Sequence, residues 1–128
     1  MKILLDTHTF IWWDSSPEKL SDAVLKACQD KENLILFSMV SIWEMQIKHQ
    51  LGKLSLSMPL RELINEQQQK NALNILPIAA KHIFELEMLP DHHKDPFDRL
   101  LIAQASIEGA FLASCDPIFR LYPVNLIW

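Results

Sequence analysis

Short apolar runs alternate with segments of helical periodicity along the whole chain. The apolar runs predict strands over residues 2–6, 34–37, 74–78 and 110–114, with a fifth at the edge over 124–128. Apolar spacings of three and four predict helices over 7–13, 17–31, 38–51, 59–70, 79–88 and 96–108. Because helices between strands imply crossover connections, the expected fold is an α/β/α three-layer sandwich with a mainly parallel sheet of four or five strands.

One charge falls on the apolar side of a predicted helix. The helix over 38–51 carries an apolar stripe, made of Val40, Trp43, Ile47 and Leu51. Glu44 lies within that stripe, four residues after its first member. A charge at such a position costs free energy unless it is paired, so Glu44 needs either Lys48 one turn on or a ligand.

The stretch over 93–105 places two carboxylates at the start of a buried helix. Asp95 can cap the first turn, and Pro96 fits the position whose backbone donor would be unpaired anyway. A capping role explains Asp95 well. Asp98 is explained less well, because helical steps of three, four and seven place it on the same face as three apolar residues, Leu101, Ile102 and Ala105.

The composition predicts one compact domain over residues 1–128, since the chain has 128 residues of which 49% are hydrophobic. No apolar run is long enough to span a bilayer, and Asp6 interrupts the N-terminal run too early for a secretory signal. We therefore expect a cytoplasmic protein without a membrane partner. Cys28 and Cys115 lack the spacing of a metal knuckle or redox pair and are interpreted as reduced packing residues.

Several functions are excluded by what the chain lacks. Its two glycines, Gly52 and Gly109, are too few for a P-loop or a dinucleotide-binding turn. There is no Gly-x-Ser-x-Gly elbow and no Cys or His pair with zinc spacing. The net charge of −4 argues against a uniformly basic nucleic-acid surface. A local nucleic-acid site is still compatible with that charge if several acids share one pocket.

Four acids fall near predicted strand ends: Asp6 ends the first strand, Glu44 follows the second, and Asp98 and Asp116 lie before and after the fourth. Ligands of open α/β sheets bind at the carboxyl ends of the strands. Converging carboxylates suit Mg²⁺ or Mn²⁺, and such a site suits phosphodiester hydrolysis. Taken singly, Asp6 and Asp116 are equally well explained as helix caps, and Glu44 as the partner of Lys48.

Taken in order, the motifs resemble one known family. They are Leu5-Asp6-Thr7-His8 with Trp12, then Ser41-Ile42-Trp43-Glu44 with Lys48 and Gly52-Lys53-Leu54, then the block from His93 to Ala105, and finally Ser114-Cys115-Asp116. The chain resembles, nearly end to end, PIN-domain ribonucleases of the VapC toxin type. Ser114 stands where that family commonly has Thr, so the hydroxyl is retained.

The resemblance implies a PIN-like fold and an endoribonuclease with a Mg²⁺ or Mn²⁺ site. The implied ligands and catalytic residues are Asp6, Glu44, Asp98 and Asp116. Implied substrates are structured RNAs such as transfer or ribosomal RNA, and implied partners are a small cognate antitoxin and a second copy of the chain. Secondary candidates at the same edge are the carboxylate of Asp95, the hydroxyls of Thr7, Ser41 and Ser114, and Arg99, which could hold RNA phosphates. His92 and His93 are interpreted as loop residues that are not metal ligands.

Two other classes of function stay open from the residues. One is a phosphatase like the haloacid dehalogenases, with Asp6 as nucleophile. That group normally has a second Asp two residues later, where this chain has His8. The other is a catalytically silent interaction module, for which replacing the acids would change neither activity nor metal binding.

Overall fold

The computed structural model describes residues 1–128 and has one five-stranded sheet. Its strands are β1 (Lys2–Leu5), β2 (Leu34–Ser38), β3 (Asn74–Leu76), β4 (Phe111–Ala113) and β5 (Leu126–Ile127). They lie in the order β3-β2-β1-β4-β5, and every neighbouring pair is parallel. The predicted α/β/α sandwich is confirmed, with five strands and no antiparallel pair.

The helices are α1 (Thr7–Ser15), α2 (Asp22–Gln29), α3 (Met39–Gln50), α4 (Leu60–Asn71), α5 (Ala80–Phe84) and α6 (Pro96–Glu108). Short 3₁₀ turns cover Pro17–Lys19, Glu85–Met88 and Pro117–Leu121. None of the helices combines the length and apolar character needed to cross a bilayer.

The helix predicted over 17–31 is two elements in the structure. Ser21 separates them with extended backbone (φ −66°, ψ 157°), and its hydroxyl oxygen accepts a hydrogen bond from the backbone N–H of Val24. The sequence prediction was wrong here because the apolar spacing continues across a residue whose side chain starts a new helix. The helix predicted over 79–88 is likewise shorter, with α5 ending at Phe84 and a 3₁₀ turn following.

Strand alternation divides the interior into two cores, one on each face of the sheet. In β1, the side chains of Ile3 and Leu5 belong to the first core and that of Leu4 to the second. The first core packs against α1, α2 and α4, and the second against α6 and the segment after β4. Successive residues of a strand point to opposite faces, so a fully apolar run is what a sheet covered on both sides requires.

Only part of the predicted stripe of α3 is buried. Trp43 and Leu51 are 57% and 63% exposed. The buried residues of the helix are Val40 and Glu44 from the predicted stripe, together with Ser41 and Met45. A helix with apolar residues on several sides can be docked in more than one rotation, and packing between α1 and α6 selects the rotation that buries Glu44. Phe10 is fully buried, while Trp12 and Trp13 are partly buried against the first core.

The C-terminal end of α6 is fixed to α5 by a buried histidine. Nδ1 of His82 accepts a hydrogen bond from the backbone N–H of Ala79, so Nε2 carries the proton and donates to Glu108 Oε2 at 2.8 Å. Lys81 Nζ lies 3.4 Å from the same oxygen. The hydrogen bond from His82 and the charge of Lys81 lower the pKa of Glu108. This contact anchors the helix that carries Asp98 at its other end.

Glu108→Gln is expected to lower the free energy of unfolding at neutral pH, and the loss should shrink in acid. The folded-state pKa of Glu108 lies below its usual value of 4.5. The stabilisation is therefore present above that value and is lost as the pH falls through the folded pKa. Urea unfolding of both proteins between neutral pH and about pH 3 measures the difference.

The matched control is Glu66→Gln, which breaks the exposed pair between Glu66 and Lys70 on α4. Exposed pairs of this kind contribute about 0.5 kcal/mol or less. A loss at Glu108 that is independent of pH, or no larger than the loss at Glu66, would contradict the stabilising contact.

Candidate metal centre

The structure brings the four predicted acids to one pocket at the carboxyl end of the sheet. The cavity has a volume of about 120 Å³ and is lined by Asp6, Thr7, His8, Glu44, Lys48, Asp95, Asp98, Asp116 and Phe119. The acids converge because β2, β1 and β4 are adjacent and parallel, so that their carboxyl ends share an edge. This is the edge at which ligands of open α/β sheets bind.

Asp6 follows β1 directly and begins α1. Its Oδ1 accepts a hydrogen bond from the backbone N–H of Thr9 at 2.7 Å, so the capping role predicted as an alternative is present. The residue is 7% exposed. Burial raises the pKa of Asp6 above its usual value, while hydrogen bonds from Ser114 and Thr9 act against the rise. A cation in the pocket would favour the charged form that burial disfavours.

Glu44 is 6% exposed, and both of its oxygens are engaged. Thr7 Oγ1 donates to Oε1 at 2.6 Å, and Lys48 Nζ donates to Oε2 at 2.7 Å. The pairing with Lys48 considered from the sequence is therefore present. Thr7, a secondary candidate, lies in the pocket and orients Glu44.

Asp95 and Asp98 have different surroundings at the start of α6. Asp95 caps the helix, because its Oδ1 accepts from the backbone N–H groups of Phe97 and Asp98 at 2.9 and 3.1 Å. Asp98 Oδ2 is hydrogen-bonded to His93 Nε2 at 3.1 Å. Burial raises the pKa of Asp98 to about 6, with the charges of Asp95 and Glu44 adding to the rise and the contact with His93 opposing it.

Asp116 is exposed and begins the 3₁₀ turn after β4. Its Oδ1 accepts from the backbone N–H of Ile118 at 3.0 Å, so it also acts as a cap. Ser114, another secondary candidate, is buried, and its hydroxyl accepts from the backbone N–H of Asp116 at 3.1 Å. Ser114 thus contacts two of the four acids, Asp6 and Asp116.

Ser114 does not line the acidic pocket, and two further secondary candidates also lie outside it. Ser41 is fully buried on α3, and its hydroxyl makes no hydrogen bond. Arg99 lines a neighbouring groove of about 300 Å³, together with Val40, Trp43, Leu86, Lys94, Pro96, Phe97 and Leu100. The Arg99 side chain is 15% exposed, and its Nη1 donates to Pro90 O and Tyr122 Oη. Arg99 is therefore held within the chain.

Sequence reasoning did not assign a role to His93 or Tyr122. His93 contacts Asp98 through one ring nitrogen and Tyr122 through the other. The spacing of His93 and Asp98, five residues apart across the start of a helix, is a local signal that could have suggested their contact. Tyr122 gives no such signal, because it lies 29 residues beyond His93.

The pocket fits a hard divalent cation in its donor chemistry, since its acids offer carboxylate oxygens and no thiolate lines it. As the side chains stand, no three His, Cys, Asp or Glu residues are close enough together to hold one ion. Glu44 has both oxygens engaged, whereas Asp6 and Asp98 each have one oxygen in a hydrogen bond and one left. Binding an ion would require the carboxylates to move closer together around it.

Comparison with known proteins gives the family. A family model described as the PIN domain matches residues 3–125. The chain belongs to the PIN domain family. The resemblance to VapC-type members seen in the motifs is confirmed by a relative, Ribonuclease VapC22 of Mycobacterium tuberculosis (strain ATCC 25618 / H37Rv). This PIN domain is 27% identical to it over 120 residues, which cover 92% of this chain and 89% of the relative.

Solved structures share the fold. A chain in VapBC2 from Rickettsia felis, bound to a DNA fragment from their promoter, has a TM-score of 0.75 and 18% identity and covers 100% of this PIN domain and 98% of that chain. A chain in DNA-bound VapBC from Salmonella typhimurium has a TM-score of 0.71 and 14% identity, with coverages of 100% and 97%. At these identities the likeness supports the PIN fold alone.

Proposed function

We propose that this PIN domain is a Mg²⁺- or Mn²⁺-dependent endoribonuclease, the toxin of a toxin–antitoxin pair, and that it cleaves structured RNA such as transfer or ribosomal RNA. The observation that carries the proposal is the convergence of Asp6, Glu44, Asp98 and Asp116 on one pocket at the carboxyl edge of the sheet. A relative that is a ribonuclease supports RNA as the substrate class.

The four acids are the proposed metal ligands and catalytic residues. A bound ion would supply an activated water and would neutralise charge on the attacked phosphate. Within the chain, Thr7 holds Glu44 by its hydroxyl and Asp95 caps the helix that presents Asp98. Lys48, which is paired with Glu44 and 40% exposed, offers a cation at the rim for a backbone phosphate.

The proposed protein partners are a small cognate antitoxin and a second copy of the chain. Two of the structural relatives are described as VapBC assemblies bound to DNA. An acidic pocket attracts a cationic side chain, and an Arg is favoured because its planar donors can engage a carboxylate twice. The apolar groove beside the pocket offers the anchoring surface that a charge pair alone does not supply.

The phosphatase alternative has less support. Asp6 Oδ1 is used to cap α1, and the position of the second Asp is filled by His8, which lines the pocket. The interaction-module alternative differs from the proposal in one measurable respect, because it requires neither metal nor acids for its effect.

Purified antitoxin-free protein is expected to cleave structured RNA with Mn²⁺ or Mg²⁺ and to lose the activity in excess chelator. The reason is that the pocket's carboxylates need a cation to act on a phosphodiester. Gel analysis of transfer RNA, with and without chelator and after restoring Mn²⁺, measures it. RNA cleavage that persists unchanged in chelator would refute the metal mechanism, and turnover of small phosphate esters through a covalent Asp6 intermediate would favour the phosphatase.

A further inference from the structure

Beside the acidic pocket lies a hydrogen-bonded network that joins Asp98 to the chain after β4. His93 Nε2 contacts Asp98 Oδ2 at 3.1 Å, and His93 Nδ1 contacts Tyr122 Oη at 2.6 Å. Tyr122 Oη also accepts from the backbone N–H of His93 and from Arg99 Nη1, each at 3.2 Å. Tyr122 is 5% exposed and belongs to the second core, so the network is built on a fixed ring.

Counting donors assigns the proton positions. A phenol oxygen has two lone pairs and one hydrogen. The backbone N–H of His93 and the guanidinium of Arg99 use the two lone pairs of Tyr122, so its hydrogen is left for Nδ1 of His93. Nδ1 is then an acceptor, the neutral ring carries its proton on Nε2, and that N–H points to Asp98.

We propose that His93 is a positioning residue, set by Tyr122 and Arg99, that fixes the carboxylate of Asp98 for metal binding. The hydrogen bond engages Oδ2 of Asp98, so Oδ1 is the oxygen left for an ion in the pocket. A carboxylate that is already oriented loses less conformational entropy when it binds a metal. Partners that orient ligands in this way commonly contribute a factor of about 10 to 100 in metal affinity.

The network also links two of the proposed ligands. Asp116 begins the turn over Pro117–Leu121, and Tyr122 follows that turn directly. Through His93, the position of Asp98 on α6 is therefore tied to the segment that Asp116 starts. Arg99 belongs to the same arrangement, because it holds Tyr122 and also donates to Pro90 O ahead of α6. Arg99 thereby supports the site structurally, without a phosphate contact.

The inference rests on the proposed metal role of Asp98, so the test measures Mn²⁺ binding without RNA as well as cleavage. His93→Phe keeps a ring but removes both nitrogens, whereas His93→Gln keeps an N–H donor that can reach Asp98. Tyr122→Phe keeps the buried ring and removes the hydroxyl. The matched control is His92→Phe, because His92 packs edge-on against Tyr122 at 5.1 Å but is exposed and does not contact Asp98.

The Mn²⁺ dissociation constant, from the electron paramagnetic resonance signal of free Mn²⁺, is expected to rise about 10-fold or more in His93→Phe and to return most of the way in His93→Gln. Tyr122→Phe should show an intermediate loss and His92→Phe none. Because the defect is in ion affinity, excess Mn²⁺ should restore RNA cleavage by His93→Phe with an unchanged KM for RNA. Excess Mn²⁺ would not restore cleavage if the substitution had misfolded the site.

Nitrogen-15 NMR of the wild-type ring gives an independent readout, and the Nε2–H tautomer is expected. An Nδ1–H tautomer, wild-type Mn²⁺ affinity in His93→Phe, or a His93→Gln variant as weak as His93→Phe would each overturn the proposal. If His93→Phe does not fold, His93→Gln and Tyr122→Phe decide it. If the wild-type protein binds no Mn²⁺ yet shows the Nε2–H tautomer, the proposed function and the positioning role fail while the hydrogen-bond assignment stands.

Discussion

Asp98→Asn is expected to abolish RNA cleavage while the fold survives, and Asp95→Asn is expected to retain most of the activity. The two residues lie three positions apart at the start of α6, and both line the acidic pocket. They differ in what they contact. Asp95 uses its Oδ1 to cap two backbone N–H groups, whereas the carboxylate of Asp98 is hydrogen-bonded to the side chain of His93.

The substitution by Asn separates the two roles because it keeps size and hydrogen bonding but removes the charge. Asn caps a helix about as well as Asp, so Asp95→Asn should preserve α6 and should also remove a negative charge that raises the pKa of Asp98. Asp98→Asn deletes a charged oxygen ligand, and we expect cleavage to fall by more than roughly 100-fold.

Single-turnover cleavage rates and thermal melts of the two variants beside the wild type measure the difference. Each variant serves as the control for the other, since both lose one charge from the same turn of the same helix. Loss of activity in Asp95→Asn with activity retained in Asp98→Asn would reverse the assignment. Activity retained in both would leave the acids without a catalytic role and favour the interaction module.

Phe10→Ala is expected to destabilise the protein more than any substitution in the pocket. Phe10 on α1 is fully buried and stacks on Phe37 of β2, with ring centroids 4.0 Å apart and ring planes 16° apart. Removing such a side chain costs about 3–5 kcal/mol, because the apolar contacts are lost and the surroundings fill the cavity only partly. A domain of this size is stable by about 5–15 kcal/mol, so the variant should lose a large fraction of its stability.

Urea denaturation measures this effect, with Phe84→Ala as the matched control. Phe84 is at the end of α5 and 71% exposed, so the same truncation there should change the free energy of unfolding by about 0.5 kcal/mol or less. Equal losses at the two positions would mean that the first core does not depend on the stacked pair.

The acidic pocket lies where the two cores meet the end of the sheet, and this position explains its electrostatics. Asp6 and Glu44 are 7% and 6% exposed. They are buried because the segments of chain that carry them leave the sheet between packed layers. Asp6 accepts a hydrogen bond from Thr9, and Glu44 accepts hydrogen bonds from Thr7 on α1 and from Lys48 on its own helix. An acidic pocket of this kind needs no long loops, because caps and strand ends already bring the acids together.

Local sequence determined the class of fold and much of the site. Apolar runs alternating with helical periods require a parallel sheet covered on both faces, since each strand must bury both of its sides. The acids at strand ends were also identifiable, because parallel strands place their carboxyl ends at one edge. The caps at Asp6 and Asp95 follow from residue type and position alone, and both are present.

Tertiary packing decided which side of α3 is buried, because several of its faces carry apolar residues and a helical period does not choose among them. Val40 and Glu44 are buried as the predicted stripe requires, but Trp43 of the same stripe is exposed. Packing also decided the partners of Asp98. The contact of His93 with Tyr122 joins residues 29 positions apart, and it exists because the chain returns past the start of α6 after leaving β4. Local propensities extend over a few residues, whereas such a contact depends on strand order and on how a whole helix is docked.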